Sequence, residues 1–98
     1  MIVKLVRYRV RPNETATVES AVRDFVNAIA THERQTRYAT YRASNGLSYV
    51  HIMSFPDLES EQRHRDALYT RAFVDVLYPR CDAGPTFTDL TPLAQAAP

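Results

Sequence analysis

The N-terminal segment of the chain is an extended run that is apolar on both of its faces. Within residues 2–10 the branched and apolar side chains alternate between the two faces, with Ile2, Val6 and Val10 on one and Val3 and Leu5 on the other. A strand of this kind needs protein on both sides of its sheet. This requirement restricts the chain more than any other feature of its sequence.

Periodicity and turn signals place five further elements in 98 residues, which is the length of one domain. They are a helix over residues 14–33, a hairpin over 36–43 and 47–55, a helix over 58–78, and a short strand over 86–91 after a break at Gly84-Pro85. The order β-α-β-β-α-β predicts an α+β, ferredoxin-like fold with an antiparallel sheet. We expect one domain over residues 1–92 and a flexible tail over 93–98.

Two helices cover only one face of such a sheet. The second face therefore needs another cover, and a second copy of the chain is the simplest source, which predicts a homodimer packed sheet to sheet. The alternative is a monomer in which basic side chains hydrate the first strand, namely Lys4, Arg7 and Arg9.

The hairpin is centred on Asn45-Gly46, the dipeptide that favours a two-residue type I′ turn with positive φ at both positions. Such a turn fixes the register, with Arg42 opposite Tyr49, Thr40 opposite His51 and Tyr38 opposite Met53. The predicted register places six side chains on one face of the hairpin: Tyr38, Thr40, Tyr49, His51, Met53 and Phe55. A histidine among aromatics is either a structural residue with satisfied hydrogen bonds or a base.

The second helix carries polar residues on its predicted sheet-facing stripe. A continuous helix from Leu58 gathers Gln62, Arg65, Tyr69 and Phe73 on one side. Polar groups aimed at a sheet are typical of a ligand pocket between helix and sheet. In the alternative, the helix kinks or begins late and these groups face water. His64 lies off the stripe, so a functional role for it requires a kink or a pairing across a dimer.

Composition argues against several classes of protein. The net charge of +1 is low for a nucleic-acid binder, and no apolar run is long enough to cross a membrane. One cysteine, two glycines and three histidines without metal-ligand spacing give no support for a disulfide, a phosphate loop or a metal site. We therefore expect a cytoplasmic protein without nucleic-acid, membrane, metal or cofactor partners.

Three segments resemble the antibiotic biosynthesis monooxygenase-like family. They are the strand start MIVKLVRYRV followed by Arg11-Pro12, the return strand SYVHIMSF leading into the acidic helix start PDLESE, and a histidine followed after nine residues by a phenylalanine, His64 and Phe73. The similarity extends over residues 1 to about 92. It implies a dimeric α+β barrel, in which two sheets face each other and each subunit has a pocket between helices and sheet.

The resemblance also implies a chemistry. Some members oxygenate phenolic or quinol-type substrates with O₂ and without metal or flavin, because the substrate anion supplies the electron to oxygen. The implied catalytic residues are His51 or His64 as proton acceptor and Arg65 as the cation that holds the anion. The implied contacts to a small aromatic, phenolic or polyketide-like ligand are Tyr38, Tyr49, Gln62, Tyr69 and Phe73. The alternative is a non-catalytic dimeric ligand-binding or stress-related module. Heme-degrading relatives use a tryptophan, which this chain does not contain.

Overall fold

The computed structural model describes residues 1–97 and has the predicted element order. The strands are β1 (Ile2–Val10), β2 (Arg37–Arg42), β3 (Ser48–Phe55) and β4 (Cys81–Leu90). The helices are α1 (Thr15–His32), α2 (Leu58–Asp66) and α3 (Leu68–Leu77), with single 3₁₀ turns at Pro12–Glu14 and Tyr78–Arg80. The four strands form one antiparallel sheet in the order β2-β3-β1-β4. The ferredoxin-like prediction is confirmed.

The hairpin has the predicted register and a different turn. Arg42 pairs with Tyr49 and Tyr38 with Met53, as expected from the alternation. Only Gly46 in this loop has a positive φ, of 74°, so the type I′ prediction is wrong. The Asn45 side chain instead accepts hydrogen bonds from the backbone N–H groups of Leu47 and Ser48, both at 2.9 Å. This side-chain bridge closes a wider loop without moving the strands.

The last strand is longer than predicted. It starts at Cys81 and continues through Gly84-Pro85, so the predicted break is wrong. The pairing of β1 with β4 shifts between Arg7 and Val10, which marks a bulge. Gly84 lies in this bulge with φ 75°, and the backbone oxygen of Arg7 would lie 2.7 Å from a Cβ placed there. Glycine therefore lets the bent strand stay against β1.

The second helical region is two helices and not one. Ala67 has φ −63° and ψ 143°, an extended conformation that ends α2 and begins α3. The Thr70 hydroxyl donates to the carbonyl oxygen of His64 at 2.5 Å, and this oxygen also accepts from the backbone N–H of Ala67 at 3.4 Å. The break changes the phase of the upstream turns, which turns Glu61 and His64 inward.

The core lies between the helices and one face of the sheet. It is built from alternate residues of the central strands and the apolar stripes of α1 and α3, namely Val6, Tyr8, Val10, Val18, Val22, Phe25, Ile29, Tyr49, Met53, Phe55, Phe73 and Leu77. The opposite face of the sheet has no helix on it. Ile52 and Tyr41 are exposed there, and Val3 and Leu5 are half-buried.

The chain beyond β4 has neither helix nor strand over residues 91–97. The flexible tail over 93–97 stays a prediction, and residue 98 lies outside the described residues. None of the helices in residues 1–97 combines the length and the apolar character needed to cross a bilayer.

Candidate active site

A cavity of about 180 Å³ lies between the helices and the covered face of the sheet. Its walls are mostly apolar and include Val6, Phe25, Met53, Phe55, Phe73 and Leu77. Polar side chains also line it, among them Tyr8, Tyr38, His51 and His64. An engineered cavity of about 150 Å³ holds a benzene molecule, so this volume suits a ligand with one ring.

The cavity meets the surface beside β4. Phe87 of this edge strand borders it and is 60% exposed, and Tyr78 after α3 is 44% exposed. Val74 and Leu77 of α3 border the cavity on the helical side. The interior of the cavity is therefore largely apolar and aromatic, while its mouth carries exposed aromatic rings.

Glu33 and His64 form the first polar group of the cavity. Glu33 follows the last turn of α1, and its carboxylate accepts a hydrogen bond from Nδ1 of His64 at 2.9 Å. Two further donors hold the same carboxylate: the Tyr69 hydroxyl at 2.5 Å and the Thr36 hydroxyl at 2.8 Å. Both side chains of the Glu33–His64 pair are about nine-tenths buried. The carboxylate thereby fixes the orientation of the imidazole ring.

The second nitrogen of His64 is open to the cavity. All hydrogen bonds of this ring use Nδ1. No buried side-chain nitrogen or oxygen in residues 1–97 lacks a partner, so Nε2 is accessible, and the cavity is the space that the ring borders. With Nδ1–H donating to Glu33, Nε2 carries a lone pair. A histidine oriented by a carboxylate with a free Nε2 is the arrangement of a general base.

His51 occupies the second polar group and has no free nitrogen. It is 1% exposed, its Nε2 is 2.7 Å from the Tyr8 hydroxyl, and its Nδ1 is 2.7 Å from the Tyr38 hydroxyl. Its ring also stacks on Phe73 with 5.8 Å between centroids. Burial lowers the pKa of His51 to about 4, so the ring is neutral near pH 7. Burial also raises the pKa of Tyr8 and of Tyr38, which keeps both hydroxyls protonated.

An ion-pair cluster borders the mouth. Glu61 of α2 is 7% exposed, and its carboxylate lies 2.8 Å from Lys4 of β1 and 2.9 Å from Arg65. Desolvation acts to raise the pKa of Glu61, and the hydrogen bonds and charges of Lys4 and Arg65 outweigh it, so the pKa is lowered. Lys4 also contacts Asp89 of β4 at 3.1 Å and so joins β4 to α2 beside the cavity.

The predicted inward orientation of Gln62 and Arg65 is wrong. Because the helix breaks at Ala67, both lie on the outer side of α2: Gln62 bonds to Asp66, and the Arg65 side chain is 58% exposed although it borders the mouth. The same phase change brings His64 inward, as the kinked alternative required.

The aromatic predictions separate into two groups. Tyr38 and Phe73 line the cavity, and Phe73 stacks on Phe25 with 4.5 Å between centroids. Tyr69 lies behind Glu33 and outside the lining. Tyr49 points to the N-terminal part of α1, where its hydroxyl donates to Glu19 at 2.7 Å. Burial is the larger cause and this hydrogen bond the next, and together they raise the pKa of Tyr49 to about 12.

Sequence reasoning missed Glu33 and Tyr8 as site residues. Glu33 falls one residue after the apolar stripe of α1 ends, where a carboxylate normally faces water. Tyr8 was detectable, because it shares the inward face of the first strand with Val6 and Val10 by simple alternation. No group of three His, Cys, Asp or Glu side chains in residues 1–97 is placed to hold a metal ion.

Comparison with solved structures places this geometry among known folds. A structure described as an antibiotic biosynthesis monooxygenase superimposes with a TM-score of 0.86 at 14% identity, over 96% of this chain and 100% of that chain. The chain has the fold of these monooxygenases. A protein assigned to the same group from Nitrosomonas europaea gives a TM-score of 0.84 at 14% identity, over 96% of this chain and 100% of that one.

A third such structure, from Caulobacter crescentus CB15, gives 0.83 at 18% identity, over 95% of this chain and 90% of that chain. Proteins of unknown function share the fold as well. No family model and no curated protein matches the sequence. The comparisons therefore establish the fold, and an argument for activity has to come from the cavity.

Proposed function

We propose that this protein is a cofactor-independent monooxygenase that oxidises single-ring phenols or quinols with O₂. The observation that carries the proposal is the accessible Nε2 of His64, whose ring is held by Glu33 through Nδ1, beside a largely apolar, aromatic cavity large enough for one ring. The fold that the chain shares with structures named antibiotic biosynthesis monooxygenases supports it. Among the ligands that the sequence suggests, the volume of about 180 Å³ favours one ring over a fused polyketide.

The chemistry requires a base and little else from the protein. Nε2 of His64 accepts the hydroxyl proton of the ligand, and the Glu33 carboxylate stabilises the imidazolium that results. The electron-rich ring anion then reduces O₂. For a quinol, one oxygen atom is added to a ring carbon and the other leaves as water, so that quinol and O₂ give a hydroxyquinone and water. The substrate supplies all the electrons, and the apolar walls keep solvent from the anion.

Oxygen uptake with quinol substrates tests the proposal. We expect uptake above the rate without protein, and His64→Gln should lower it by about 10²- to 10⁴-fold, the usual contribution of a positioned base. His32→Gln is the matched control, because His32 is exposed and outside the cavity. Uptake at the rate without protein contradicts the enzyme, and an unchanged rate in His64→Gln contradicts the assigned base. Arg65→Ala tests whether that side chain, at the mouth, helps to hold the anion.

The second candidate function is a ligand-binding module without turnover. The observation that favours it is the outward position of Arg65, whose charge is already neutralised by Glu61 at 2.9 Å. A protein of this kind binds a quinol in the same cavity and leaves O₂ unconsumed. Calorimetric binding together with oxygen uptake on one sample separates the two functions.

The homodimer is part of the proposal. The face of the sheet opposite the helices presents Ile52 of β3 at 39% exposure and Leu90 of β4 at 38%. The half-buried side chains of Val3 and Leu5, on β1, lie between them. A second copy packed on this face would cover it and form the dimeric α+β barrel. We expect twice the chain mass in light scattering and a monomer for Ile52→Glu. The control Thr17→Glu, on the exposed side of α1, should remain a dimer.

A further inference from the structure

The side chains of Tyr8, His51 and Tyr38 contain more polar hydrogens than their mutual hydrogen bonds use. Each hydroxyl carries one hydrogen, and the neutral ring of His51 carries one more. Only two bonds join the three residues, one on each ring nitrogen, both 2.7 Å long. One hydroxyl must accept from the imidazole N–H, and its own hydrogen then has no acceptor within this trio. The remaining O–H belongs to Tyr8 or to Tyr38, depending on the tautomer of His51.

The ligand side of the trio is Tyr38. Its ring centroid lies 5.9 Å from that of His64, whose Nε2 faces the same cavity. Tyr8 stacks on Tyr49 with 5.4 Å between centroids, and the Tyr49 hydroxyl in turn donates to Glu19. When Nδ1–H of His51 donates to the Tyr38 oxygen and the Tyr8 hydroxyl donates to Nε2, the Tyr38 O–H is free to point at a ligand oxygen beside His64.

We propose that Tyr38 is the hydrogen-bond donor that stabilises the ligand oxygen as an anion, and that His51 is a positioning residue that selects this state. The inference rests on the proposed function, since it concerns the same cavity and the same class of phenolic ligands. It replaces the prediction that His51 is itself a base, because both ring nitrogens are occupied. The role of His51 is to hold the Tyr38 oxygen as an acceptor, so that the hydroxyl hydrogen is directed into the cavity.

Titratable groups face the trio from several elements. His64 of α2 borders Tyr38, Cys81 of β4 and Tyr49 of β3 lie near Tyr8, and Glu33 and Glu19 act on Tyr38 and Tyr8 from α1 and its end. Both glutamates disfavour a negative charge on the tyrosines, which keeps the hydroxyls protonated and able to donate.

The test measures the ionisation state of a bound phenol. The probe is 4-nitrophenol, whose anion is yellow and whose neutral form is not, so absorption reports the protonation state of the bound molecule without turnover. We expect the bound probe to ionise at lower pH than the free probe. Tyr38→Phe should weaken binding of the anion roughly ten- to hundredfold, as loss of a hydrogen bond to a charge predicts.

Three variants separate the donor from general damage to the fold. Like Tyr38→Phe, Tyr8→Phe leaves one nitrogen of His51 without a partner, but it retains the Tyr38 O–H. Tyr8→Phe should therefore weaken anion binding less than Tyr38→Phe does. His51→Phe should lower anion binding while leaving binding of toluene, a ligand without oxygen, within about twofold. The control Tyr41→Phe, on the other face of the sheet, should change neither.

The outcomes separate this inference from the proposed function. A bound probe that stays neutral, or equal losses in Tyr8→Phe and Tyr38→Phe, overturns the role of Tyr38, even if quinols consume oxygen. Ionised probe that depends on Tyr38, without oxygen uptake for any quinol, supports the donor and contradicts only the oxygenase. Absence of 4-nitrophenol binding overturns the role of Tyr38, while the oxygenase is decided by oxygen uptake with quinols. ¹⁵N chemical shifts that show His51 at pH 7 either with both ring nitrogens protonated or with its single hydrogen on Nε2 also overturn the inference.

Discussion

The two glycines of the chain allow the cost of backbone crowding to be measured separately from the cost of backbone conformation. Gly46 and Gly84 have almost the same φ, 74° and 75°. A Cβ on Gly46 would meet no atom within 4 Å. A Cβ on Gly84 would lie 2.7 Å from the oxygen of Arg7 and 3.2 Å from the backbone of Tyr8 and of Thr86. All three neighbours are backbone, so none can rotate away.

The magnitudes follow from these contacts. An alanine in the left-handed region costs about 1–2 kcal/mol, partly offset by about 0.4–1 kcal/mol from the smaller entropy of its unfolded chain. We therefore expect Gly46→Ala to lower the free energy of unfolding by about 1 kcal/mol. At Gly84, crowding adds about 1–3 kcal/mol to this cost, so Gly84→Ala should lower the free energy of unfolding by about 2–4 kcal/mol.

The assay is urea unfolding followed by circular dichroism at one fixed protein concentration, since a dimer makes stability depend on concentration. The dependence of the unfolding free energy on urea concentration should be the same in both variants, so that differences between their urea midpoints report stability alone. If Gly84→Ala costs no more than Gly46→Ala, strand β4 does not lie against β1 as described, and the bulge assignment is wrong. The edge of the cavity formed by Phe87 would then also need revision.

Three further predictions concern two buried polar groups and one exposed helix cap. Burial lowers the pKa of His51 to about 4 from an unfolded value near 6.5, so the unfolded chain binds the extra proton first as the pH falls. The contribution of His51 to the free energy of unfolding should be complete above pH 6.5 and fall by up to about 3 kcal/mol as the pH drops to 4. Unfolding measured as a function of pH should show this loss, and the loss should be absent in His51→Phe. Glu33→Ala leaves three donors without their acceptor and should cost about 3–5 kcal/mol in thermal unfolding, with Glu33→Gln losing less than half as much. Asp57 accepts from the Ser60 N–H at 2.8 Å at the start of α2, so Asp57→Ala should lower the midpoint of thermal unfolding while Asp57→Asn retains most of the stability, and equal losses would argue against a cap.

The strand register was predictable from the sequence because alternation has a strict period of two. Tyr38 and His51 had to share a face once Arg42 was placed opposite Tyr49, whatever the turn between them. The turn itself depends on a competition between the backbone and the Asn45 side chain, which accepts from Leu47 and Ser48. Local composition does not show which of the two prevails.

The helix phase was not predictable, because nothing in the local sequence marks the break. Ala67 is a residue type that favours helix, yet its backbone is extended. This one residue changes the direction in which the side chains of α2 point relative to those of α3. Two hydrogen bonds accompany the break: a distant one between His64 and Glu33, and a local one from Thr70 to the His64 carbonyl. As a result His64, and not the predicted Arg65, points into the cavity. Tertiary hydrogen bonds decided this position against local propensity.

Glu33 has a consequence for how such a protein can change. Its carboxylate orients the proposed base, and through Tyr69 and His64 it also ties the end of the first helix to both later ones. One side chain therefore affects both the basicity of the proposed base and the packing of the three helices. A lineage that altered the basicity of this histidine by replacing its partner would loosen its helical layer in the same step, so we expect changes of reactivity to be tolerated at the walls and the mouth rather than behind the imidazole.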